Sequence, residues 1–176
     1  MKKIALLSLF LSGLFLFPGL NAQVKNTEQN MLSAKRSIIK NLERWHKAAA
    51  EANFDDYFNL MTQDAVFIGT DATENWDIAD FKNFSRPYFE AGKAWDFKAI
   101  ERNIYIKENS RLAWFDELLD THMGICRGSG VMAKENGKWK VQHYVLSIAI
   151  PNENVDEITL LKKEFDEELI SKLRNN

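Results

Sequence analysis

Residues Arg111 to Asn152 read RLAWFDELLDTHMGICRGSGVMAKENGKWKVQHYVLSIAIPN, three long antiparallel strands in succession. Asn136-Gly137 is the strongest hairpin signal in the stretch, because a type I′ turn needs positive φ at both central residues. With that turn in place Glu135 faces Lys138. The pairing then runs Met132 with Val141, Gly130 with His143 and Gly128 with Val145. Side chains alternate across a strand. One face therefore carries Cys126, Gly128, Gly130 and Met132 beside Trp139, Val141, His143, Val145 and Ser147. The other carries Arg127, Ser129 and Val131 beside Gln142, Tyr144, Leu146 and Ile148. Two glycines on a core face leave either a close contact or a hole, and the expectation here is a hole.

Upstream, Met1 to Ala22 opens with Lys2 and Lys3, continues with an apolar run from Ile4 to Phe17, and exits through Pro18-Gly19 and Leu20-Asn21-Ala22. A basic start, a short apolar core and small residues at the exit make a secretory signal peptide, with cleavage expected after Ala22. The apolar run is shorter than the roughly 20 residues a membrane span needs. A periplasmic or secreted location follows. Removing residues 1–22 of 176 leaves 154, enough for one domain with one core. Loss of Lys2 and Lys3 moves the formal charge from −2 to −4. Mild acidity without a basic cluster argues against nucleic-acid and anionic-membrane partners. The single cysteine, Cys126, excludes an internal disulfide and reads as a buried small apolar residue.

Residues 23–32 are polar and read as a leader. A first helix is expected from Ser33 to Ala52, with Ile38, Leu42, Trp45 and Ala49 on one stripe and His46 at its edge. Asn53 and Asp56 look like the cap of a short second helix, and Ala65 to Ile68 reads as a strand ended by Gly69. The loop GTDATENW, Gly69 to Trp76, admits two readings. Asp71, Glu74 and Trp76 could meet a ligand at a pocket rim, or the loop could be a tight one whose Asp and Thr groups bond their own backbone. Asp77 caps a third helix, which Pro87 should kink or split near Arg86 and Gly92 should stop. A strand from Trp95 to Ile106 leads into the three-stranded stretch. After Pro151, Asn154 and Glu157 resemble a capping pair for a last helix over residues 153–176. Its apolar positions are Ile158, Leu161, Phe165, Leu169 and Leu173.

Helices, a short strand, a helix, then long antiparallel strands make an α+β domain with helices on one face of a curved sheet. Trp139-Lys-Val141-Gln-His143-Tyr-Val-Leu-Ser147, preceded by Asn-Gly, resembles the terminal strand of the nuclear-transport-factor-2-like superfamily. That is the cone-shaped fold shared with SnoaL-type polyketide cyclases and ketosteroid isomerase. GTDATENW, AWFDELLDT and CRGSGV resemble a bacterial SnoaL-like subfamily. The resemblance spans residues 33–152 and leaves the last helix outside.

The resemblance implies that Trp139, Val141 and His143 look into the cone. By the same alternation Trp114, Asp116 and Leu118 should point inward. Asp116 and His143 would then straddle the middle strand, about 10 Å apart at the backbone, with Arg102 beside Asp116 in a register left open by one residue. Such a pair could move a proton at an acidic carbon. The plainer alternatives are a structural ion pair for Asp116 and a hydrogen-bonded core residue for His143. The candidate ligand-binding set is thus Asp71, Trp76, Arg102, Trp114, Asp116 and His143, with Asp116 and His143 as the catalytic candidates.

His46, His122 and His143 are scattered without metal-ligand spacing, and no nucleotide-binding motif is present, so no metal or cofactor is expected. Relatives imply a homodimer through the outer sheet face. Three functional readings follow: a binder of a small, largely apolar molecule; an isomerase, cyclase or hydratase using Asp116 and His143; and an interaction domain without catalysis, its sheet face and C-terminal helix serving assembly and its cavity vestigial.

Overall fold

The computed structural model describes residues 18–175. Most of the expected signal peptide, residues 1–17, lies outside them. The elements are α1 (Pro18–Ala50), α2 (Phe54–Asn59), β1 (Met61–Ile68), β2 (Asn75–Asp77), α3 (Ile78–Glu90), β3 (Lys98–Ile106), β4 (Leu112–Thr121), β5 (Gly124–Glu135), β6 (Lys138–Ile148) and α4 (Val155–Arg174). The strands form one sheet in the order β2-β1-β6-β5-β4-β3. β1 runs parallel to β6 and every other pair is antiparallel. This is the expected α+β architecture.

The core lies between the helices and the inner face of the sheet. Ile38, Leu42, Trp45 and Ala49 of α1 are all buried, so the apolar stripe on that helix is the face that docks. α1 begins well before the expected start at Ser33 and makes residues 23–32 helical. Asn53 caps α2 by accepting from the Asp56 amide at 3.1 Å. Asp77 caps α3 by accepting from the amides of Ala79 and Asp80. α3 continues through Pro87 as one helix and stops where Gly92 turns to φ +68°. A proline in the last turn removes little of the helix's bonding, which explains why it does not split α3. Asn154 makes no side-chain cap bond. A single 3-10 turn, Asn152–Asn154, leads into α4 instead.

The Asn136-Gly137 turn has the expected positive φ values, 48° and 79°. Glu135 faces Lys138 and Met132 faces Val141. The register then slips by one: Val131, not Gly130, pairs with His143, and Gly130 pairs with Tyr144. The extra residue is Gln142, and the β1–β6 ladder shifts at the same place, between Met61–Val141 and Val66–His143. A bulge of this kind inverts the alternation beyond it. Trp139 and Val141 point into the core as expected, but past the bulge it is Tyr144 and Leu146 that are buried. His143 shares the outer face with its partner Val131.

The inner face of β5 is as expected, with Cys126, Gly128, Gly130 and Met132. Its partners on β4 are not. Leu119, Glu117, Phe115 and Ala113 stand opposite those four residues and are buried. Trp114, Asp116 and Leu118 therefore face outward. The cause is the two-residue connection His122-Met123, which pairs Thr121 with Gly124 and sets the parity of β4.

Candidate functional site

Two features occupy the inner side of the sheet. The first is a buried polar cluster around Glu117, whose side chain is fully enclosed. His46 Nε2 of α1 lies 2.7 Å from Glu117 Oε1. Arg102 of β3 donates from Nε to Oε2 at 2.7 Å and holds the same oxygen with a terminal nitrogen at 2.7 Å. Tyr144 of β6 donates its hydroxyl to Oε1 at 3.0 Å. An ionised carboxylate only accepts, so His46 donates from Nε2.

Burial pulls the Glu117 carboxyl upward. The hydrogen bond and charge of His46, together with Arg102, more than offset it, and the group titrates below the ordinary carboxylate range. Tyr144 is pushed well above the usual phenol range by burial and by the neighbouring Glu117 charge. Four elements meet at this one carboxylate, which anchors α1 to the sheet.

The glycines of β5 make the cluster possible. A Cβ on Gly128 would run into the Tyr144 hydroxyl and the Glu117 side chain. A Cβ on Gly130 would meet the His143 carbonyl and the Phe115 ring. Both positions are close approaches, not the expected hole.

The second feature is the hole itself, displaced from the β5 glycines. It is a cavity of about 740 Å³ between the end of β1, β2, α3, the segment before β3 and the β4–β5 turn. Seven aromatic residues line it: Phe67, Trp76, Phe81, Phe84, Tyr88, Trp95 and Phe97. Phe81 stacks on Phe67, with ring centroids 4.1 Å apart, and Trp76 stacks on Phe84 at 4.4 Å. The lining also includes the half-buried Glu74 and the exposed Lys93, Asp96, Lys98, Asp120 and His122. Phe97 also lies edge-on to His46, 6.2 Å between centroids. The Glu117 cluster therefore sits one ring behind the cavity wall.

Of the residues singled out from sequence, Trp76 lines the cavity. Asp71 closes its own loop, accepting from the Thr73 amide at 2.8 Å and the Thr73 hydroxyl at 2.6 Å. These bonds hold its carboxyl below the usual range. Arg102 pairs with Glu117, one residue beyond the expected Asp116. Trp114 is on the outer face, 46% exposed and stacked on Tyr105 at 5.9 Å. Asp116 is also outside, accepting from Asn103 Nδ2 at 3.1 Å. His143 shares that outer surface, so the Asp116–His143 pair does not look into the cone. Sequence reasoning missed Glu117, Tyr144 and the role of His46. The two glycines were the available signal, since a missing Cβ marks where a ring or carboxylate must pass. Among the described residues no three His, Cys, Asp or Glu side chains converge to hold a metal ion.

The model of the SnoaL-like domain matches residues 38–151, well over half of the chain. The chain belongs to the SnoaL-like family. Solved structures agree on the NTF2-like fold. An NTF2-like protein of unknown function from Pseudomonas putida is 15% identical, with TM-score 0.58 over 70% of this chain and 92% of that one. A putative dehydratase of the NTF2-like family from Streptomyces avermitilis is 8% identical, with TM-score 0.57 over 66% and 96%. The association domain of C. elegans CaMKII is 18% identical, with TM-score 0.54 over 66% and 96%. No curated protein matches the chain in sequence. At these identities the neighbours speak for the SnoaL-like chain's fold and not for its chemistry.

Proposed function

We propose that this SnoaL-like protein is exported through its N-terminal segment and binds a small, largely apolar molecule in the aromatic cavity. The observation that carries the reading is the lining: seven aromatic side chains around about 740 Å³, with the charged lining groups mostly at exposed positions. A cavity of this size and polarity suits a small-molecule site, in which apolar walls supply affinity and a few polar groups orient the ligand. The Glu117 cluster serves as the rigid wall behind it.

Capture of an apolar probe tests this. An anilinonaphthalene dye should brighten on binding the chain, and Leu146→Trp, which fills the cavity from β6, should abolish the signal. Asp116→Asn and His143→Ala should leave it unchanged. Equal capture by Leu146→Trp would remove the cavity from the account. Native mass spectrometry of the gently purified protein then identifies any molecule carried through.

An assembly role is favoured by a separate observation. Tyr105 and Trp114 form an exposed stacked pair on the outer sheet face, and one structural neighbour is an association domain. Homodimerisation through that face accounts for the exposed rings.

A further inference from the structure

We propose that α4 is a self-association arm, pairing antiparallel with α4 of a second copy of this chain. The helix runs 20 residues, about 30 Å at 1.5 Å per residue. Ile158, Leu161, Phe165, Leu169 and Leu173 repeat at three or four and make one apolar stripe. None of the helix's side chains is buried. Leu161 is 76% exposed, Phe165 44% and Leu173 64%. In proteins a helix draws most of its stability from packing its amphipathic face.

Its charges select the partner and the direction. The first turn carries Asp156 and Glu157 and the last turn Lys172 and Arg174. Glu157 and Lys172 are 15 residues apart and about 60° from each other around the helix at 100° per residue, both on the Leu161 side of the stripe, Glu157 outside its edge and Lys172 between Leu161 and Phe165. Reversing a second copy brings Glu157 of each helix beside Lys172 of the other, with Phe165 near the two-fold axis and Leu161 against Leu169. A parallel pair would set like charge against like. The internal pair Lys163–Glu167, at 3.8 Å, lies on the opposite side, and Lys162–Asp166, at 3.3 Å, flanks the other edge of the stripe from Glu157.

The chain from Gln23 to Asn176 provides the test. Leu161→Glu should weaken self-association at least tenfold in sedimentation experiments while the circular dichroism of the sheet persists. Phe165→Cys should form a covalent dimer on mild oxidation and Glu167→Cys should not; the native Cys126 is buried. Lys172→Glu should weaken the dimer, and adding Glu157→Lys should restore it. The proposal is overturned by a Leu161→Glu chain that associates normally, by equal cross-linking at residues 165 and 167, or by a double charge swap no better than the single change. Loss of association in Trp114→Arg alone, with Leu161→Glu silent, places the contact on the sheet and overturns it too.

Discussion

Tyr144 on β6 and Glu117 on β4 are joined across the intervening strand by a 3.0 Å hydrogen bond that passes over Gly128. Neither residue is adjacent to the other in the ladder. The contact exists because β5 has no side chain between them and because a bulge at Gln142 turned Tyr144 inward. The same carboxylate holds α1 through His46 and β3 through Arg102. Removing it should therefore be felt across the domain.

Glu117→Gln leaves Arg102 buried without its counter-charge. Breaking a buried ion pair by removing one partner costs about 3–5 kcal/mol. Urea denaturation should show a loss of that order, read as a lower midpoint with an unchanged slope. A loss below about 1 kcal/mol would mean that the cluster is not the anchor inferred for it.

Acid stability should follow Glu117. Its folded-state pKa is depressed, so its contribution is complete above the unfolded carboxylate value, about 4.3, and is lost as pH falls through the lower folded value. The stability of the wild type should fall steeply below about pH 4. Glu117→Gln should flatten that limb, as measured by denaturation midpoints taken stepwise down the acid range.

Gly128→Ala should destabilise by about 1–3 kcal/mol, since the added methyl needs space held by the Tyr144 hydroxyl. Tyr144→Phe removes that hydroxyl. The double variant should cost less than the sum of the singles, a coupling that a double-mutant cycle reads directly. Strict additivity would show that the glycine serves some other neighbour.

On the outer face, Trp114→Arg should interrupt the stacked pair with Tyr105 and weaken sheet-to-sheet association in sedimentation experiments, without changing dye capture by the cavity. Coupled loss of both would show that the two surfaces are not independent.

Much of the architecture is legible in the chain. The Asn136-Gly137 turn, the apolar stripe of α1 and the caps Asn53 and Asp77 are local signals, and each depends on residues a few positions apart. The family resemblance rests on the same local runs. The site was less accessible. Trp76, singled out because its loop is polar and aromatic at once, lines the aromatic cavity, whereas Asp116 and His143 face the outer surface and not the expected inner one.

What the sequence determined by itself was the main helices and long strands, the caps Asn53 and Asp77 and the one turn whose chemistry is unambiguous; the short strand β2 (Asn75–Asp77) lay hidden in a polar loop, and Asn154 does not cap. The tertiary structure decided which side of β4 and of the far half of β6 faces the core. The reason is that alternation defines two faces without naming them: a tight connection at His122-Met123 and one extra residue at Gln142 each choose between the two. Those choices follow from what the whole core can enclose, here a carboxylate with three donors gathered from α1, β3 and β6.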